Sequence, residues 1–201
     1  MLADLYTIGS SANHTAPSKN DDIFGLVLTG GYSTRMGADK SLLDYHGKPQ
    51  REFVFELLGK FCAEVFTSCR KDQDVPPNLH PLPDTFEMKG PLNGILSAFS
   101  ANPQRCWLIL AVDMPYVSED TLRLLVESRD REKLATCFYN EETQQPEPLL
   151  TLWEARAYPS LLKFAEAGNP SPREFLKTHP VNMIDPPDKK TLLNFNYPRG
   201  L

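Results

Sequence analysis

Apolar positions along this chain follow two rhythms. Short runs with almost no polar break, Phe24 to Leu28, Trp107 to Val112 and Leu134 to Tyr139, have the length of strands buried on both faces. Val65 to Ser68, Pro148 to Trp153 and Val181 to Ile184 read as further strands. Between them apolar residues recur at helical spacing. Phe53, Val54, Leu57, Leu58 and Phe61 predict a helix from Arg51 to Phe61. Gly90-Pro91 opens a second helix through Ala101, with Pro91 at the first turn where a missing N–H costs nothing. Ser118 caps a third, which carries Leu122, Leu125 and Val126; a fourth runs from Glu154 to Ala167 and stops at Gly168; Ser171-Pro172 starts a fifth. The proline-broken segment from Asp74 to Pro83 reads as a connection with one short extended piece. Strands alternating with helices predict an α/β fold, a mainly parallel sheet with helices on both faces. Such sheets bind ligands outside the carboxyl ends of their strands.

Met1 to Asp22 is polar, with no sustained periodicity beyond a patch at Leu2–Ile8, and is expected to be a tail outside the fold. Residues 23–201 are then one domain. The formal net charge of -5 argues against a broad nucleic-acid face, so an anionic substrate needs local cations, backbone N–H groups or a metal. Cys62, Cys69, Cys106 and Cys137 lack metal-like spacing and read as small buried hydrophobes. No targeting peptide or membrane span is recognisable, and a reducing cytoplasm is the expected compartment.

Chemistry concentrates after the first strand. Leu28-Thr29-Gly30-Gly31-Tyr32-Ser33-Thr34-Arg35-Met36-Gly37-Ala38-Asp39-Lys40 is a glycine-rich loop with a cation on each side of its last glycine. Adjacent glycines let backbone N–H groups close on an anion, and Arg35 and Lys40 would neutralise a di- or triphosphate. The spacing is neither a Walker A loop nor the Rossmann G-x-G-x-x-G. An ordinary tight turn with solvated charges is the plain alternative. At the far end of the Trp107 to Val112 run stands Asp113, followed by Met114-Pro115. A carboxylate there would hold Mg²⁺ or simply cap the next helix.

The loop resembles the N-terminal signature of nucleotidyltransferases of the molybdenum cofactor guanylyltransferase type, close to L-A-G-G-x-S-x-R-M-G-x-D-K, with Thr29 in place of the usual Ala. Three further motifs follow in that family's order: Gly90-Pro91-Leu92-x-Gly94-Ile95, Asp113-Met114-Pro115, and Asn194-x-Asn196-x-Pro198. The resemblance implies a Rossmann-like three-layer α/β/α sandwich of the nucleotide-diphospho-sugar transferase type. It also implies nucleotide binding by Leu28, Thr29, Gly30, Gly31, Lys40, Thr67, Asp84, Gly90, Pro91, Leu92, Gly94 and Asp113. Asp113 would carry Mg²⁺, and Arg35, Lys40 and Asp113 would be catalytic. Thr67 stands where the family often has Asn. Arg173, Asn194 and Asn196 would bind the acceptor.

Glu147, in Pro146-Glu147-Pro148, departs from the His-Pro or Gln-Pro of many relatives; either it takes donor groups of a pterin acceptor or it faces solvent. The four histidines receive no chemistry. The function implied is Mg²⁺-dependent transfer of GMP from GTP to molybdopterin, bare or molybdenum-loaded, with release of pyrophosphate. Partner proteins would come from cofactor biosynthesis or molybdoenzyme chaperones, and neither nucleic acid nor membrane is expected. The rival readings are a cytidylyltransferase acting on the same cofactor or on a sugar or polyol phosphate, and a non-catalytic cofactor-binding accessory protein.

Overall fold

The structure, a computed structural model, describes residues 20–29, 40–44 and 46–194. Its strands are β1 (Asn20–Leu28), β2 (Cys62–Cys69), β3 (Pro81–Pro83), β4 (Cys106–Ala111), β5 (Ala135–Asn140), β6 (Gln145–Trp153) and β7 (Asn182–Ile184). The α-helices are α1 (Gln50–Leu58), α2 (Pro91–Ala101), α3 (Glu119–Glu127), α4 (Tyr158–Glu166) and α5 (Pro172–Thr178). The strands form one sheet in the order β3-β2-β1-β4-β6-β5-β7. β6 runs antiparallel to both neighbours, and every other pairing is parallel.

β1 shows why its run of apolar residues is unbroken. Ile23 and Val27 pack toward α1 and α3, and Phe24, Leu26 and Leu28 toward α2, α4 and α5. With a helical layer on each face, every position from Ile23 to Leu28 is buried, and period-2 alternation disappears from the sequence. The result is the expected three-layer α/β sandwich. Local signals set the helix starts. Ser118 and Thr121 form a reciprocal cap on α3, Pro91 takes the first turn of α2, and the Ser171 hydroxyl accepts the Glu174 N–H at 3.3 Å.

Several boundaries differ from the sequence expectation: β2 starts at Cys62, three residues before Val65, the helix expected from Glu154 begins at Tyr158 after a short 3-10 turn, and three further differences have a visible cause. α1 ends at Leu58, because the N–H groups of Lys60 and Phe61 donate three residues back, to Leu57 and Leu58, and the chain turns into β2. Phe61 keeps its helical spacing yet is buried from that turn. β6 begins at Gln145, three residues before Pro148.

The third is the stretch expected as a tail, which reaches into the sheet over its last three residues. The Asn20 N–H donates to the Phe61 carbonyl at 3.1 Å, and Asp22 is held by Arg129 and Arg131 at 2.9 and 3.0 Å. These side chains are polar, so hydrophobicity alone leaves the start of the strand unmarked. Arg129 also pairs with Glu154 at 2.6 Å, and both side chains are 7% exposed, so one guanidinium ties the start of β1 to the segment after β6.

Candidate active site at the carboxyl edge

Chain order fixes where a ligand fits. From β1 the chain moves outward to β2 and β3, then crosses back to β4 on the other side of β1. The connections therefore diverge between β1 and β4, and a crevice opens at the carboxyl ends of these two strands. Thr29 leaves one lip and Asp113 the other, with the Val112 N–H donating to the Leu28 carbonyl at 3.1 Å to hold the lips together. Gly30, Gly31, Arg35 and Gly37 lie outside the described residues, between Thr29 and the short turn Lys40–Leu42.

On the β2 side the residues interlock. The Thr29 hydroxyl donates to the Ser68 carbonyl at 2.7 Å and lies 3.2 Å from Gln73 Oε1. The Ser68 hydroxyl donates to Asp84 Oδ1 at 2.9 Å, and the Asp84 N–H donates to the Cys69 carbonyl at 2.8 Å. Burial pushes the Asp84 carboxyl above its ordinary range, with the Ser68 hydroxyl and the Arg70 charge pulling against it.

α2 sits hard against this edge because residue 94 is glycine. A Cβ there would collide with Ser68 Oγ and stand 3.0 Å from Leu28 Cδ2. Gly90 precedes the helix with φ +94, a conformation that suits glycine. Asn93 holds the loop before α2. Its Oδ1 accepts the Phe86 N–H at 3.1 Å, and its Nδ2 donates to the Phe86 and Met88 carbonyls at 2.7 and 2.9 Å. Gly90 and Pro91 are exposed at the helix start, whereas the Leu92 side chain is wholly buried and leaves only its backbone for a ligand.

Thr67, the residue expected at this edge, and its neighbour Ser68 face opposite layers. Register pairs Val27 with Thr67 and Leu28 with Ser68. Thr67 therefore faces the α1 layer, fully buried, and Ser68 faces α2 and Asp84.

Beyond β4, antiparallel β6 brings a second group of residues to the same edge. Leu110 of β4 pairs with Leu150, so the start of β6 lies beside the turn that carries Asp113. Glu147 is 3% exposed, which removes the solvent-facing reading. Its Oε1 accepts the Leu149 N–H at 2.9 Å, and its Oε2 lies 3.7 Å from Arg173 Nη2. Burial pushes the Glu147 carboxyl upward; the Leu149 N–H and Arg173 lower it, and the charge of Asp113 raises it further. The charge of Asp113 thus reaches Glu147 from the end of the neighbouring strand. Arg173 Nε donates to the Pro146 carbonyl at 3.3 Å. Asn194 is exposed at the end of the described chain, and Asn196 lies outside it.

Sequence reasoning passed over three residues that shape this edge: Ser68, Asn93 and His46. His46 Nε2 is 3.0 Å from the Pro115 carbonyl, and its ring stacks on Phe53 with centroids 3.8 Å apart. It fastens the turn after Asp113 to the segment before α1. No spacing pattern reveals it, because its partner is a backbone carbonyl.

A hard cation fits the oxygen donors present. Among the described residues no three His, Cys, Asp or Glu side chains form a metal cluster. Mg²⁺ does not need three, since it is commonly held by one or two carboxylates together with substrate phosphates. Asp113 and Glu147 repel one another and would repel a polyphosphate, and a divalent cation would relieve both effects.

Residues 25–183 match the MobA-like NTP transferase domain family. A molybdenum cofactor biosynthesis bifunctional protein of Synechocystis is 35% identical over 179 residues, 88% of this chain; the match spans 52% of that relative, about half its length. A probable molybdenum cofactor guanylyltransferase of Trichormus variabilis is 29% identical over 90% of this chain and 89% of its own. Among solved structures, molybdopterin-guanine dinucleotide biosynthesis protein A of Archaeoglobus fulgidus superposes with a TM-score of 0.71 at 23% identity, covering 87% of this chain and 93% of that one, a likeness of fold. With that match over most of its length and a sheet whose connections diverge between β1 and β4, the chain belongs to the MobA-like NTP transferase domain family and is a nucleotidyltransferase.

Proposed function

We propose that this enzyme transfers GMP from GTP to molybdopterin, bare or molybdenum-loaded, forming a guanine dinucleotide cofactor and releasing pyrophosphate. The observation that carries this reading is the meeting, at one strand edge, of the exit to the glycine loop, Asp113, and the Glu147–Arg173 pair. The names of the related guanylyltransferases supply the substrates. A phosphate oxygen of the acceptor attacks the α-phosphorus of GTP, and the bond from that phosphorus to the α,β-bridging oxygen breaks. No protein nucleophile is required, so the work is alignment and charge stabilisation.

In this reading the backbone of Leu28, Thr29, Gly30 and Gly31 and the cations Arg35 and Lys40 hold the triphosphate and the departing pyrophosphate. Asp84, aimed by Ser68, and the start of α2 at Gly90 to Gly94 hold the nucleoside. Asp113 holds Mg²⁺, which would supply charge neutralisation at the phosphates. Glu147, Arg173, Asn194 and Asn196 form the acceptor side. All four cysteines are buried, and no described helix is long and apolar enough to cross a membrane. Buried cysteines suit the reducing cytoplasm included in this proposal.

The test pairs binding with turnover. Thermal-shift titration with GTP, CTP, ATP and UTP in Mg²⁺ should single out GTP, and α-labelled GTP should pass its label to molybdopterin. Asp113→Asn should cut transfer by about 10²-fold or more while weakening GTP binding less, because metal stabilisation of developing charge contributes several kcal/mol. Wild-type transfer by this variant at saturating Mg²⁺ refutes the assignment of Asp113.

A further inference from the structure

Glu147 is placed against ordinary expectation. A carboxylate this buried needs a close partner, and its ion-pair partner among the described residues is out of hydrogen-bond range, with Arg173 Nη2 at 3.7 Å. The two members of the pair are held very differently. Glu147 is pinned: its Oε1 takes the Leu149 N–H at 2.9 Å, its carbonyl takes the Thr151 hydroxyl at 2.7 Å, and its side chain is 4% exposed. The Arg173 side chain is 38% exposed, and among the described residues a 3.3 Å bond to the Pro146 carbonyl anchors it besides the long ion pair. If one member moves, it is Arg173. A dianionic phosphate monoester offers a guanidinium two parallel hydrogen bonds, which Glu147 at this distance does not.

We propose that Glu147 is a positioning residue, a parking counterion that keeps Arg173 at the carboxyl edge until a phosphate monoester takes it over. This rests on the acceptor-side reading above and adds to it a competition: Glu147 and the incoming phosphate share one guanidinium. Position 147 is then acidic to hold the arginine, and Glu147 makes no contact with the phosphate. The neighbouring Asp113 carboxylate, which adds unfavourable charge at Glu147, keeps the demand for a cation at this spot high.

Inorganic phosphate is the probe. It is titrated calorimetrically into the full chain saturated with GTP, for the wild type, Glu147→Gln, Arg173→Gln and the double variant. Gln at 147 keeps the acceptor for the Leu149 N–H and removes the competing charge, so phosphate should bind at least threefold tighter. Arg173→Gln should weaken phosphate at least tenfold, and adding Glu147→Gln to it should change nothing further. Arg173→Lys, which keeps the charge but not the two-pronged donor, should fall between. Weaker or unchanged phosphate binding in Glu147→Gln overturns the proposal, as does an Arg173→Gln variant that binds normally, or the absence of binding in all. Melting curves check the fold of each variant. GTP affinity reports separately on the nucleotidyltransferase reading: if GTP itself does not bind, that reading fails, and the phosphate series on the protein alone still tests the exchange.

Discussion

Gly94→Ala probes the contact that presses α2 onto the ends of β1 and β2, the side proposed for the nucleotide. Alanine in place of glycine in a helix interior gains about 1 kcal/mol of intrinsic helix stability. Here that gain meets a crowded strand edge. The new Cβ would collide with Ser68 Oγ and stand 3.2 Å from Ser68 Cβ and 3.0 Å from Leu28 Cδ2. Rotating Ser68 away gives up its 2.9 Å bond to Asp84, a hydrogen bond to a charged group worth about 1.5–3 kcal/mol. The remaining two contacts require α2 to back off by a few tenths of an ångström, an overpacking cost of about 1–3 kcal/mol. Setting these against the helix gain leaves a net loss of about 2 kcal/mol or somewhat more. For a chain of this length that lowers Tm by about 4–8 °C. Differential scanning calorimetry measures it. Ser68→Ala in the Gly94→Ala background removes the colliding oxygen and should recover about 1 kcal/mol, a coupling that distant sites do not show. GTP affinity should fall in both single variants, since Asp84 loses its orienting donor in each. A Gly94→Ala protein that melts at or above the wild type would show that α2 does not press on the ends of β1 and β2.

The opposite edge of the sheet offers two further tests. Arg129→Met leaves the buried Glu154 carboxylate without its 2.6 Å partner and takes from Asp22 the more buried of its two arginines, and should cost about 3–5 kcal/mol by urea denaturation, with GTP affinity of the folded fraction unchanged. At Asp22 burial pushes the carboxyl up, but the Arg129 hydrogen bond and the Arg129 and Arg131 charges pull it further down, below its ordinary 3.8. A lowered folded pKa contributes stability above 3.8 and loses it as pH falls through the folded value, so the difference in Tm between wild type and Asp22→Asn should close below about pH 4; a difference that instead widens there refutes the assignment.

Much of the fold was legible because the central strands are buried twice. Ile23 to Leu28 and Cys106 to Ala111 contain no exposed position, and an unbroken apolar run of that length suits a strand covered on both faces better than a helix with one wet side. Helix starts were legible where a single residue does the work, as at Pro91, Ser118 and Ser171. What escaped depended on pairing. Asn20 to Asp22 look like tail by composition and belong to a strand because Phe61 and two arginines hold them. Phe61 looks helical by spacing because a turn and a helix deliver it to the same core.

The site divides along the same line. The side proposed for the nucleotide is written in short contiguous motifs, since a strand, a turn and a helix start are local objects. The choice between Thr67 and Ser68 already exceeds local reading. Alternation along β2 puts one of the two on each face, and the pairing of Leu28 with Ser68 is what brings Ser68 to the side of α2 and Asp84. The side proposed for the acceptor is harder still. Pro146-Glu147-Pro148 has no periodicity, and Glu147 becomes buried only because β6 runs antiparallel beside β4 and α5 covers its start. From composition, an acidic residue there is a liability in an anion-binding crevice. In the fold it faces Arg173 across 3.7 Å, close enough to hold a cation in place and too far to hydrogen-bond it, and so it leaves that cation available to a better ligand.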